Sequence, residues 1–253
     1  MIELLRNCSN GNEVSTYLVN AGGPVRKIVK TAATPVGMNN LRREVEGWDW
    51  YQKIRSLETG EPICRIIQEK EHYLKIEVKF IDGIRVDCRE GLEKNHKMIQ
   101  EVVGHYCKIW PRHPDGGSPL HGDLSLDNVI CNADGVYIID WEHFHEKGAP
   151  WGFDPLYMLF ETLFLRIRNN RQPSSKEIDI VADNIVFLNN RHKLQSQMMD
   201  RPLRFLVDFI TNNHTLWGRD LTLFQNKFPI LAFTPDRVSS IDGTVCSELR
   251  ARA

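Results

Sequence analysis

The stretch from Pro119 to Phe144, PLHGDLSLDNVICNADGVYIIDWEHF, sets Asp123 and Asp140 at either side of a short apolar segment. Solvated acids usually occupy loops or outer helix faces, where water removes the cost of their charge. These two border residues that read as core strand, and a carboxylate near apolar surroundings needs a partner. A cation, a metal ion or a substrate proton would serve. The segment itself reads as a β-hairpin: NVIC, the turn NADG, and VYIIDW returning. The open ends of a hairpin bring their residues close, so Asn128, entering the first strand, and Asp140, leaving the second, are expected to meet. An amide oxygen beside a carboxylate is hard-oxygen ligation, which suits Mg²⁺ carried by phosphates. Asp123 is left to face an acceptor hydroxyl.

The flanking sequence gives this hairpin a setting. Before it, Ile2–Leu5, Ser15–Asn20 and Val25–Thr31 read as short strands separated by turn formers. NNLRREVEGWDWYQKIRSL follows as a helix, with Leu41, Val45, Trp48, Tyr51 and Ile54 at helical spacing. Two more strands are expected, at Arg65–Gln68 and Leu74–Ile81. After Asp82-Gly83 the character changes. REGLEKNHKMIQEVVGHYCKIW is strongly helical, PRHPDGGSP breaks it, and from Asp154 onward the chain is mostly helical, with Ser174 and Glu177 spaced as a capping box. The expected organisation is α+β, with a boundary near Gly83: a β-rich lobe over residues 1–83 and a larger, mostly helical lobe over 84–253.

Composition narrows the partners. The 253 residues carry a net charge of −1, which gives no electrostatic argument for nucleic acid or an anionic membrane as the main partner. No apolar run approaches the roughly 18 residues that a membrane-spanning helix needs. The six cysteines form no CxxC pair and no secretory segment precedes them, so reduced thiols in a cytoplasmic protein are expected.

HGDLSLDN has the spacing H-G-D-L-x-x-x-N, the catalytic-loop pattern of protein-kinase-like phosphotransferases, with Gly122 where protein kinases carry Arg. Together with IDWE, it makes the chain resemble the aminoglycoside phosphotransferase and choline kinase superfamily from about Ile2 to Leu163. The resemblance implies a bilobal protein-kinase-like fold, Asp123 as catalytic base, and Asn128 and Asp140 as metal ligands. It also implies a strand lysine on the nucleotide phosphates and a helix glutamate that holds it. Lys30 and Glu44 suit those roles, with Lys27 and Glu46 as rivals; side chains alternate along a strand, so Lys27 leaves on the face opposite Lys30.

Other roles follow from the same resemblance. Ser9, Asn10 and Gly11 would cover the phosphates, although a plain hairpin turn also explains them. The backbone from Lys79 to Ile81, in VKFIDG, would take the base of ATP, with GTP left open. Asp154 would brace the catalytic loop and His121 would orient it. Alternation along an extended segment explains His143 and His145 without a zinc site. Asp127 departs from the family's usual filling of this loop, and its charge would repel phosphate or meet a cationic substrate.

The expected activity is Mg²⁺-dependent transfer of the γ-phosphoryl group of ATP to a hydroxyl of a small molecule: an amino alcohol, an aminoglycoside or a sugar. A kinase of polysaccharide sugars or of proteins, and a non-catalytic module on the same fold, are the alternatives. A choline-type acceptor would want an aromatic cage, for which Trp141, Trp151, Tyr157 and Trp217 are available. An aminoglycoside would want acids, for which Asp127, Glu142, Glu146 and Glu161 are available.

Overall fold

The computed structural model describes residues 2–6, 13–20, 22–23, 25–55, 62–113, 116–167, 171–217 and 228–252. The chain divides into two compact units, Met1–Asp82 with Asp140–Glu146, and Gly83–Ile139 with Lys147–Ala253.

The first unit is an antiparallel sheet of five strands and one helix. The strands are β1 (Ile2–Arg6), β2 (Ser15–Val19), β3 (Lys27–Ala32), β4 (Cys64–Lys70) and β5 (Tyr73–Lys79), in the order β1-β2-β3-β5-β4. Leu74, Ile76 and Val78 alternate as the buried face of β5, and Lys30 on β3 lies opposite Ile76. Helix α1 (Pro35–Ile54) starts earlier than its apolar spacing suggests. Thr34 caps it by accepting from the Gly37 amide at 3.1 Å, and Pro35 fits the first turn, where no helical N–H partner exists. Met38, buried three residues before Leu41, carries the apolar face into that turn.

Residues Asp140–Glu146 belong to this unit, which a boundary drawn along the sequence does not anticipate. The reason is aromatic packing. Trp141 has no exposure, and its ring lies 5.0 Å from Tyr51, 6.4 Å from Trp48 and 5.8 Å from Phe144. Gly47 of α1 makes room for it: a Cβ there would come within 2.6 Å of the Trp141 Cβ.

In the second unit, β6 (Ile84–Arg85), β8 (Val129–Asn132) and β9 (Gly135–Ile138) form one small sheet; β7 (Gly117–Leu120) pairs with β10 (His145–Pro150), of which the residues from Lys147 onward belong to this unit. The expected hairpin is β8–β9, but Asn132 pairs directly with Gly135, so the turn is only Ala133-Asp134. Its second strand also ends at Ile138 and does not run on to Trp141. The break comes at Asp140, whose φ of +66° is left-handed and ends the extended run.

Helices α2 (Gly91–Ile109), α3 (Phe153–Ile167), α4 (Ser175–Arg191), α5 (Ser196–Asp200), α6 (Pro202–Asn212) and α7 (Pro235–Arg252) complete the unit. Every residue of α3 from Phe153 to Leu163 is buried, which marks it as the central helix. Ser174 and Glu177 form the capping box of α4. Among the described residues, no helix is long and apolar enough to cross a membrane.

Candidate active site

The site residues expected from the sequence fall into two clusters, one in each unit. The first surrounds Lys30, which is only 6% exposed. Its Nζ donates to Glu44 Oε2 at 2.5 Å and to Asp140 Oδ1 at 2.6 Å, and lies 3.6 Å from Glu142 Oε1. Arg6 at the end of β1 stands 3.7 Å from Asp140 Oδ2 and 3.5 Å from Glu142 Oε1. The rivals lie elsewhere. Lys27 pairs with Glu77 at 2.9 Å, and Glu46 is exposed on the outer side of α1. Alternation along β3 and the helical turn of α1 produce this separation.

Three carboxylates thus face two cations, Lys30 and Arg6. Burial pushes Glu44 up to about 7, with Asp140 and Glu142 adding to the rise and Lys30 opposing it. Burial alone would lower Lys30, but Asp140, Glu44 and Glu142 hold it above its ordinary value. The Oε1 atom of Glu142 is buried with no hydrogen-bond partner, and carboxylate oxygens of Glu44, Asp140 and Glu142 lie within 4.8 Å of one another. The carboxylate oxygens of Asp140 are hard donors of the kind that suits Mg²⁺. Glu142, which the sequence offers as an acid for an aminoglycoside acceptor, is instead part of this cluster; its sequence signal is its place in IDWE, two residues after Asp140.

The second cluster is the loop after β7. Asp154, at the start of α3, accepts from the amides of His121 at 2.9 Å and Gly122 at 3.1 Å. Burial pushes Asp154 up to about 7 against the pull of these two amides. The Asp123 amide donates to His121 Nδ1 at 3.3 Å, so Nε2 carries the ring proton and donates to the Ile139 carbonyl at 3.0 Å. Asp154 and His121 therefore hold the loop as expected. Asn128 Nδ2 donates to the Asp123 carbonyl at 2.8 Å, which leaves Asn128 Oδ1 as the amide's acceptor atom. The Ile139 amide, one residue before Asp140, donates to the Asn128 carbonyl at 3.0 Å.

Asp127 and the aromatic cage come out differently, and the remaining residues are placed as follows. The Asp127 carboxylate is engaged at the turn Cys88–Glu90, accepting from the Cys88 amide at 3.2 Å and thiol at 3.1 Å. Burial and Asp127 push that thiol up to about 12. Trp141, Trp151, Tyr157 and Trp217 are all buried within packed aromatic clusters, so their faces line no open cage. The Lys79 amide donates to the Ile63 carbonyl at 2.7 Å, and Ile81 is half-buried. Ser9, Asn10 and Gly11 lie outside the described residues. Neither His143 nor His145 joins either of the two groups of potential metal-binding side chains among the described residues, Glu44-Asp140-Glu142 and Asp87-Cys88-Asp127.

The sequence matches no family model, and no curated protein matches it. Solved structures do match. A Plasmodium vivax ethanolamine kinase superposes with a TM-score of 0.54 at 13% identity, covering 100% of this chain and 84% of that one. The fold is protein-kinase-like. The chain shares it with that ethanolamine kinase. An amicoumacin kinase in complex with AMP-PNP, Ca²⁺ and its antibiotic is also similar, at 9% identity and a TM-score of 0.49, with 100% of this chain and 88% of that one covered.

Proposed function

We propose that this kinase-like chain transfers the γ-phosphoryl group of ATP to a hydroxyl of a small molecule, with Mg²⁺ as cofactor. The observation that carries the reading is Lys30, a buried amine bonded to both Glu44 and Asp140. Burying such an ion cluster costs several kcal/mol per ion before any attraction is counted. A fold that needed only stability would be served as well by apolar side chains, whereas a phosphate-binding site needs the charge. The ethanolamine kinase with which the fold is shared supports, by analogy, a small hydroxyl compound as acceptor.

In this reading Lys30 contacts the nucleotide phosphates and Glu44 fixes its direction. Asn128 and Asp140 hold the metal, whose positive charge would offset that of the phosphate oxygens. Asp123 accepts or orients the proton of the acceptor hydroxyl. Catalysis is then mostly positioning and charge neutralisation.

A screen of ATP consumption with Mg²⁺ across amino alcohols, aminoglycosides and sugars tests the reading, which expects turnover with one of these classes. Asp123→Asn should lower turnover by about 10²–10⁴-fold, with the calorimetric affinity for Mg·ATP retained. Turnover at the wild-type rate in that variant would remove Asp123 from its role.

A further inference from the structure

We propose that Trp217 is a positioning residue for Asp123; the inference rests on the phosphotransfer reading above. Trp217 closes the 3-10 turn His214–Trp217 and has no exposure. Its indole Nε1–H donates at 2.8 Å to the carbonyl of Gly122, 95 residues away in sequence. Gly122 has a φ of +85°, a conformation that favours glycine, and its carbonyl belongs to the peptide that leads into Asp123.

The loop is therefore held peptide by peptide. Asp154 takes the N–H groups of the two peptides before Asp123's own. The next peptide is bonded at both ends, its carbonyl to Trp217 and its N–H to His121. A peptide unit turns as a rigid plane, so fixing both ends fixes the N–Cα bond of Asp123; Asn128 holds the following peptide through the Asp123 carbonyl, and the two together set the direction in which the Asp123 side chain leaves the backbone. The indole has one donor and no acceptor. Its ring is wedged against Phe228 at 5.4 Å and Phe153 at 6.4 Å, so it cannot turn away without disturbing both. Without that N–H, the Gly122 carbonyl loses a buried partner and the peptide is freer to tilt.

Trp217→Phe keeps an aromatic ring and deletes the donor. With ethanolamine as the probe acceptor, kcat should fall by roughly 10- to 10²-fold, the scale of a small misplacement of a reacting group. The KM for Mg·ATP should not change. In an Asp123→Asn background the same substitution should have no further effect on kcat, because Trp217 acts through Asp123. Site-specific benzothienylalanine at position 217, which matches the indole in shape but has no N–H, should reproduce the loss. Azatryptophan, which keeps the N–H, should restore the rate. If Asp123→Asn is impaired while Trp217→Phe turns over normally, or if Trp217→Phe costs equally in both backgrounds, the positioning role is wrong. If Asp123→Asn itself turns over at the wild-type rate, the phosphotransfer reading fails first and the Trp217 inference falls with it.

Discussion

At the scale of single residues, buried charge is what most distinguishes this chain. Glu161 lies on α3 with Oε1 accepting from the Tyr157 hydroxyl at 3.3 Å and Oε2 buried without a hydrogen-bond partner. Burial pushes its pKa well above the ordinary 4.5, with Asp123 and Asp127 adding to the shift and Tyr157 opposing it. The folded value is above the unfolded one, so the stability that Glu161 contributes is full below about 4.5 and declines as pH rises beyond it. Asp154, pushed up to about 7, acts with the same sign. Glu161→Gln should match the wild type in denaturant midpoint at pH 4 and exceed it at pH 8. Parallel pH profiles for the two proteins would show that Glu161 is ionised at no cost in the fold. The Lys30–Glu44 bond gives a second expectation. In a cycle of Lys30→Met and Glu44→Gln, the two effects on kcat/KM should couple by about 0.5–3 kcal/mol, and Lys27→Met should be nearly silent. Additive losses would mean that the two residues act independently.

At the scale of elements, the separation of Lys30 from Lys27 was legible because β3 alternates, whereas Glu44 came only with the resemblance, which left Glu46 open. The hairpin was legible from its turn, NADG, between two apolar runs. Its exit was not, because no pattern in the sequence marks the left-handed φ at Asp140. The start of α1 was missed because a cap and a proline define it, whereas the reading followed apolar spacing. Trp217 was read as cage wall because its hydrogen-bond partner is remote in sequence. The fit of α1 against the Asp140–Glu146 segment can be tested at Gly47. Alanine there favours the helix by up to about 1 kcal/mol, yet its Cβ would meet the Cβ of Trp141 at 2.6 Å and that of Phe144 at 3.0 Å. Overpacking of this kind costs roughly 1–3 kcal/mol, so Gly47→Ala should lower the thermal midpoint. A rise would mean that the segment shifts away without penalty.

At the scale of the whole molecule, the first unit is discontinuous: its sheet and helix come from Met1–Asp82, but part of its core comes from Asp140–Glu146. A polypeptide of residues 1–82 lacks Trp141 and Phe144 and should show no cooperative melting transition, which circular dichroism would check. A sharp transition in that fragment would mean that the sheet and α1 suffice alone.

The same discontinuity sets an order of events on the ribosome. The sheet strands and α1 emerge first, but the aromatic face of α1 has no cover until residue 146 follows, 64 residues after residue 82. At about 5–20 residues per second, that face waits roughly 3–13 seconds for Trp141 and Phe144. During that interval Trp48 and Tyr51 lack the ring contacts that Trp141 later makes with them. The first unit is then completed late, by the same short segment that brings Asp140 to Lys30.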